Sequence, residues 1–103
     1  MSGLLNKLIT NGSVQKVATV PTIQFGSMNV RVVNPTNADQ PIKLWLSADA
    51  TAPSQADLIE HRAVVPANGG RYMDTGLIVS ASETLYIQAA ADLVVRAELV
   101  EEV

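Results

Sequence analysis

The stretch that decides the fold is residues 84–100, TLYIQAAADLVVRAELV. The apolar residues Leu85, Ile87 and Ala89 occupy every second position. After the short turn AADL, every second residue of LVVRAELV, residues 93–100, is again apolar. Successive side chains of a β-strand point to opposite faces of the sheet. This period of two therefore predicts two half-buried strands joined by a turn.

The same period occurs earlier in the chain, in MNVRVVN (residues 28–34) and IKLWLS (residues 42–47). Weaker apolar runs lie at residues 14–25, 58–65 and 71–79, and the run 58–65 alternates so poorly that we expect an edge strand. About seven to eight short strands separated by polar turns predict an all-β fold. We expect a single antiparallel β-sandwich of the jelly-roll or immunoglobulin-like type.

The first residues differ in character from the rest, so the sequence predicts an N-terminal arm, residues 1–13, ahead of a sandwich domain, residues 14–103. Four apolar residues of the arm have helix-like spacing: Leu4, Leu5, Leu8 and Ile9. A free helix of this length is marginal in water, so the arm needs a surface to dock on. That surface can belong to its own domain, to a sister subunit or to another protein. We expect these residues to contact a partner and the domain to fold without residues 2–12.

The glycines at 69, 70 and 76 allow two interpretations. A phosphate-binding loop of the GxxxxGK[ST] type requires a lysine after the last glycine and then a helix. Here Leu77 follows Gly76, and the next residues are β-branched or aromatic. We therefore predict a tight turn with positive φ at residues 68–70 and a strand irregularity, a bulge, at Gly76.

Residues suited to chemistry are few and scattered. His61 is the only histidine and the chain has no cysteine, so a zinc site would need several carboxylates. The carboxylates are dispersed, and the chain contains neither a GxSxG nucleophile elbow nor a DxDxDG calcium loop. We expect no catalytic, cofactor-binding or metal-binding residue and no enzymatic activity.

The charge pattern limits the partners. The net charge is −3, and the seven lysine and arginine residues are spread singly along the sequence. Nucleic acids and anionic membranes bind clustered cations, so we expect neither as a partner. The apolar runs are shorter than the roughly 20 residues of a membrane span, and the first ten residues are too broken in hydropathy for a signal-peptide core.

Trp45 lies on the face of its strand opposite the apolar positions of IKLWLS, a face that a sandwich normally exposes. Two interpretations stay open: an apolar outer surface that binds a partner, or a tryptophan covered by the arm or by the long connection 47–58. Stacking on a sugar is a lesser option. In the connection, Ser54 followed by Asp57 predicts one capped helical turn.

Several of these motifs resemble small all-β virion structural proteins of tailed bacteriophages. The matching segments are VRVVN at 30–34, LSAD at 46–49, TGLIVSA at 75–81, the residues Glu83, Leu85, Tyr86 and Ile87, and the final LVVRAELVEE. The resemblance implies a β-sandwich with a structural role and no catalytic residues. Such proteins decorate or cement capsids, or belong to neck, tail and fibre assemblies, often as trimers. The arm lies outside the matched portion.

The function that we expect first is therefore that of a capsid decoration or cement protein, a homo-oligomer that binds the major capsid protein by contact alone. It would be made in the cytoplasm of the bacterial host and located in the virion. A tail, neck or fibre-base component is the alternative within the same particle. A carbohydrate-binding module that uses Trp45 and Tyr86 is the alternative from another class.

Overall fold

The computed structural model describes residues 2–20 and 26–101, and the side chains of residues 7–20 and 26–99. This part of the chain forms eight strands: β1 (Ser2–Ile9), β2 (Gln15–Thr19), β3 (Gly26–Asn34), β4 (Gln40–Ser47), β5 (Leu58–Val65), β6 (Gly70–Val79), β7 (Thr84–Ala89) and β8 (Val94–Glu101). One 3-10 turn, Gln55–Asp57, precedes β5. No helix among the described residues is long and apolar enough to cross a membrane.

The strands form two antiparallel sheets of four strands each. Sheet A has the order β1-β8-β3-β6, and sheet B has the order β2-β7-β4-β5. The pairs β1 with β8, β2 with β7, β3 with β6 and β4 with β5 are nested along the chain, so the first half of the chain pairs with the second half in reverse order. The prediction of a single antiparallel β-sandwich is confirmed.

The core lies between the inner faces of the two sheets. Alternate residues of β3 (Met28, Val30 and Val32) pack there against alternate residues of β7 (Leu85 and Ile87), all at most 2% exposed. Full burial of an aliphatic side chain stabilises a fold by about 1.5–3 kcal/mol, so these faces supply most of the stabilisation. The period of two seen in the sequence is the pattern that this packing requires.

The N-terminal segment contains the first strand of the structure. Residues Ser2–Ile9 form β1, which pairs with β8 at an edge of sheet A. Leu8 packs against the core, whereas the next residue, Ile9, is 60% exposed. The helical interpretation of this segment is therefore wrong, because alternate burial within a sheet replaces the expected stripe along a helix. The side chains of Leu4 and Leu5 lie outside the described residues.

Both glycine predictions are confirmed. Asn68 and Gly69 have φ angles of 59° and 88°, and the amide of Gly70 donates to the carbonyl of Ala67, which closes a four-residue turn. Asn-Gly suits such a turn because both central residues need positive φ. A side chain on Gly70 would clash with the carbonyl oxygen of Pro66, so close approach of the backbone also requires glycine.

Gly76 lies in a bulge of β6. Met28 is paired with Leu77 and Val30 with Asp74, so the two residues between them on β6 oppose the single residue Asn29. Gly76 has a φ of 80°, and its amide donates to the side-chain oxygen of Asn29 at 3.1 Å. The bulge keeps the apolar residues on both sides of it directed to the core.

The structure also shows which strands the weaker apolar runs form. The run 58–65 forms β5, an edge strand of sheet B as expected. The run 14–25 contributes β2, the other edge of that sheet, and its residues 21–25 lie outside the described part of the chain.

Candidate partner-binding surfaces

Trp45 is covered by the chain itself. It stands on the outer face of sheet B, between Tyr86 of β7 and Leu58 of β5, and only 9% of its surface is exposed. The connection 47–58 crosses this face and forms one wall of a groove over the tryptophan. Of the two interpretations left open by the sequence, coverage by the long connection is the one observed.

Hydrogen bonds hold that connection against the sheet. The hydroxyl of Tyr86, which is 2% exposed, donates to the carbonyl oxygen of Asp49 at 2.6 Å. The amide of Asp49 donates to the hydroxyl of Ser47, and the carboxylate of Asp49 accepts from the amide of Thr51 at 2.7 Å. Burial raises the pKa of Tyr86, and the negative charges of Asp49 and Asp57 raise it further.

The predicted capped turn is also present. The carboxylate of Asp57 accepts from the amide of Ser54 at 2.9 Å and from its hydroxyl at 3.0 Å, and the amide of Asp57 donates back to the carbonyl oxygen of Ser54. The bond from the Ser54 amide is the largest cause of a lowered pKa at Asp57, followed by a side-chain bond from Ser47. The charged carboxylate therefore fastens the end of the connection to the start of β5.

The groove over Trp45 has a volume of about 640 Å³. Its floor is formed by Trp45 and Tyr86, and Lys16, Lys43 and His61 contribute polar groups to its lining. A sugar that stacks on an aromatic ring needs an exposed ring face, and the two rings expose 9% and 2% of their surfaces. The groove therefore offers shape and hydrogen-bonding groups but little aromatic surface.

The residues predicted to contact a partner fall at different places. Leu8 is half-buried against the core and Trp45 is covered, so both stabilise the sandwich itself. Ile9 stands exposed on the outer face of sheet A, opposite Val94. The structure does not bring Trp45 and Ile9 together, since they lie on different sheets.

Sequence reasoning missed the apolar surface of β5 and β6. Among the described side chains, six large apolar ones are clearly exposed, and four of them lie on these strands: Ile59, Val64, Met73 and Ile78. β5 and β6 are edge strands of different sheets and touch at the same side of the sandwich, but Met73 and Ile78 lie on the outer face of sheet A and Val64 on the outer face of sheet B. The exposed residues alternate with half-buried ones along β6, and only the strand order shows that both strands lie at an edge.

A second surface was missed because its residues are far apart in the sequence. Lys7, Arg96 and Arg31 lie on neighbouring strands of sheet A in one register row. The sequence shows seven scattered cations, and the strand pairing brings three of them side by side.

His61 is exposed on β5 and lines the groove over Trp45. Among the described residues, no three histidine, aspartate or glutamate side chains are grouped so that they could hold a metal ion. Comparison of the chain with protein-family models and with curated proteins finds no match.

Proposed function

We propose that the chain is a non-enzymatic structural protein of a tailed-phage virion, first of all a capsid decoration or cement protein. The proposal rests on the motif resemblance centred on residues 75–89 and on the surface of the sandwich. Such a protein acts by adhesion: a rigid sandwich bridges neighbouring shell subunits, and the area buried between the partners supplies the binding free energy.

The observation that carries the proposal is the unpaired edge at which β5 and β6 meet, with exposed apolar side chains beside it on both outer faces of the sandwich. Each of these strands pairs on one side only among the described residues, so each presents a row of backbone N–H and C=O groups together with exposed apolar side chains. Such an edge favours addition of a strand from another chain. We propose that copies of the chain associate here into a homo-oligomer, for which the resemblance suggests a trimer.

The order of the strands supports the same conclusion by analogy. We propose that the sandwich is a jelly roll, because the four nested strand pairs are divided two to a sheet, as when one long hairpin wraps around a core. Jelly rolls occur in viral capsid proteins and in lectins, and a fold alone does not establish a function.

The test is the copy number of the chain in particles purified from cells that produce the phage encoding it. A decoration protein is expected on the order of hundreds of copies per particle, whereas a tail, neck or fibre-base component is expected at about a dozen or fewer. Absence from purified particles overturns the proposal.

The purified particles also test whether the edge of β5 and β6 is needed for association with the particle. Ile78→Glu places a charge on β6 beside the unpaired edge, at a side chain that is 76% exposed, so the fold should tolerate it. We expect this variant to lose association with the particle. Asn37→Glu, which adds the same charge at an exposed turn residue, should bind like the wild type.

The carbohydrate-binding alternative has less support, since the rings of Trp45 and Tyr86 are covered. Binding to a glycan array that is lost in Trp45→Ala while the variant remains folded would favour it over the virion role.

A further inference from the structure

The outer face of sheet A carries a row of basic side chains that spans three strands. Lys7 of β1 is paired with Arg96 of β8, and Arg96 is paired with Arg31 of β3. We call these three residues the cation row. Neighbouring strands are about 4.8 Å apart, so the row is about 10 Å long. Arg71 of β6 lies on the same face, opposite Val33.

The cation row forms no ion pair with the described side chains. Lys7 and Arg31 are exposed and Arg96 is half-buried. Glu98 lies on the same face, opposite Asn29 in the neighbouring register row, yet within the described side chains no carboxylate forms an ion pair with the row. Like charges directly opposite each other on paired strands destabilise a sheet. Glu98 offsets only part of this positive charge, so a bound anion would further reduce the repulsion within the cation row.

The surroundings of the row have the features of a docking surface. A depression of about 250 Å³ lies between β3, β6 and β8, and its lining includes Arg31, Arg96 and, beside them, Glu98. Two guanidinium groups facing one depression suit a carboxylate, which accepts paired N–H bonds from arginine. The row ends at Met73, which is 56% exposed and opposite Arg31.

A second, apolar row runs beside the cation row. Ile9 is paired with Val94, and Val94 with Val33. Ile9 is 60% exposed and the two valines are half-exposed, so a partner that neutralises the charges also covers apolar area. Charge complementarity would give such a contact its orientation, and the apolar row would add affinity.

We propose that the outer face of sheet A docks an acidic surface of another protein, with one carboxylate between Arg31 and Arg96 and a second over Lys7. The Cβ atoms of residues i and i+4 of a helix are about 5–6 Å apart, which is close to the spacing of about 4.8 Å between neighbouring strands, so two glutamates at that spacing could each reach one cation. The inference does not depend on a virion role, because it rests only on charge and register within this sheet.

A nucleic acid fits this face less well. Three cations neutralise few phosphates, and nucleic-acid affinity depends on the number that are neutralised. Glu98 lines the depression beside the two arginines, so it opposes any anion that binds there, a carboxylate as well as a phosphate, and it does not distinguish the two partners. A protein carboxylate surface needs only the local match, so it is the occupant that we argue for.

The binding test uses a fluorescein-labelled helical peptide with glutamate at every fourth position, and the same peptide with glutamine as a control. The wild-type protein should bind the glutamate peptide at low salt, bind it more weakly as salt rises, and not bind the glutamine peptide. The double variant Arg31→Gln/Arg96→Gln should lose at least about tenfold in affinity. Lys16→Gln/Lys43→Gln removes the same charge from sheet B and should bind like the wild type.

Three results overturn the proposal: no binding of the glutamate peptide by the wild type, an equal loss in both double variants, or tighter binding of a single-stranded oligothymidine of the same length than of the peptide. The last result would assign the face to nucleic acid.

Thermal unfolding of the same free proteins tests the repulsion separately. Added salt should raise the midpoint of the wild type more than that of Arg31→Gln/Arg96→Gln, since salt screens a repulsion that the variant lacks. This difference in salt response does not depend on the packing of the apolar parts of the Arg31 and Arg96 side chains. An equal response to salt in the two proteins would refute the repulsion on which the inference rests.

Discussion

Asn34 holds three segments of the chain together with one fully buried side chain. Its amide nitrogen donates to the carbonyl oxygens of Ala38 at 2.8 Å and Val65 at 3.0 Å, and its oxygen accepts from the amide and the hydroxyl of Thr36. We predict that Asn34→Ala lowers the free energy of unfolding by about 2–3 kcal/mol, because buried partners lose their hydrogen bonds. Urea denaturation measures the change.

Replacing Asn34 by aspartate should make the stability of the protein depend on pH in a way that the wild type does not share. In Asn34→Asp the introduced carboxyl faces two carbonyl oxygens in a buried site, so its folded pKa lies above its unfolded value. The variant should therefore be more stable, relative to the wild type, at pH 4 than at pH 7. Asn37→Ala, at an exposed position of the same turn, should change stability by less than about 0.5 kcal/mol. A similar loss at Asn37 would mean that the turn, not the buried amide, is responsible.

Among the elements, the connection 47–58 depends on Tyr86. Removing the hydroxyl in Tyr86→Phe deletes the bond to the carbonyl oxygen of Asp49, and we expect a loss of about 1–2 kcal/mol. Trp45 lies beneath the connection and is the only tryptophan, so its fluorescence should move to longer wavelength as the connection loosens. Tyr72→Phe is the matched control, because Tyr72 packs its ring against the core. Equal effects of both changes would contradict the assigned anchor.

The end of the connection 47–58, at Asp57, should become less stable as the pH falls. The folded pKa of Asp57 is lowered, so its bonds to Ser54 contribute stability above the ordinary pKa of 3.8, and this contribution is lost as the pH falls through the lower folded value. Limited digestion with an acid-active protease such as pepsin should therefore cut the connection more readily at lower pH within the acid range. Asp57→Asn should be cut readily at every pH in that range. A cutting rate that depends on pH in the same way in both proteins would rule out Asp57 as the cause.

The sequence predicted those elements whose signal is local. The strands β3, β4, β7 and β8 follow from their period of two, and the Gly76 bulge follows from a glycine among β-forming residues. β1 was missed because its residues fit helix-like spacing equally well, and only pairing with β8 selects the strand. Whether Trp45 is covered depends on the path of the polar connection 47–58, and hydrophobic periodicity does not predict the path of a connection.

At the scale of the whole molecule, strand order determines the surfaces. All seven lysine and arginine residues lie on strands, whereas Asp39, Asp49, Asp57, Glu83 and Asp92 lie in the connections. Each cation is isolated in the sequence, and register alone places Lys7, Arg96 and Arg31 side by side. The unpaired edge at which β5 and β6 meet likewise exists only because the two strands are the last strands of different sheets at one side of the sandwich. Both proposed contact surfaces were therefore beyond the reach of motif and composition.

The place of β1 in sheet A reverses the expectation for a truncated chain. Deleting residues 2–12 removes Leu8 from the core and Thr10, whose buried hydroxyl donates to the carbonyl of Ala91 and accepts from the amide of Leu93. We predict a loss of more than about 3 kcal/mol in the free energy of unfolding, together with self-association through the exposed edge of β8. Urea denaturation and analytical ultracentrifugation measure the two effects. Ile9→Ala, at an exposed position of the same strand, should leave both unchanged, whereas a truncated protein that is monomeric and as stable as the full chain would show that β1 is an appendage after all.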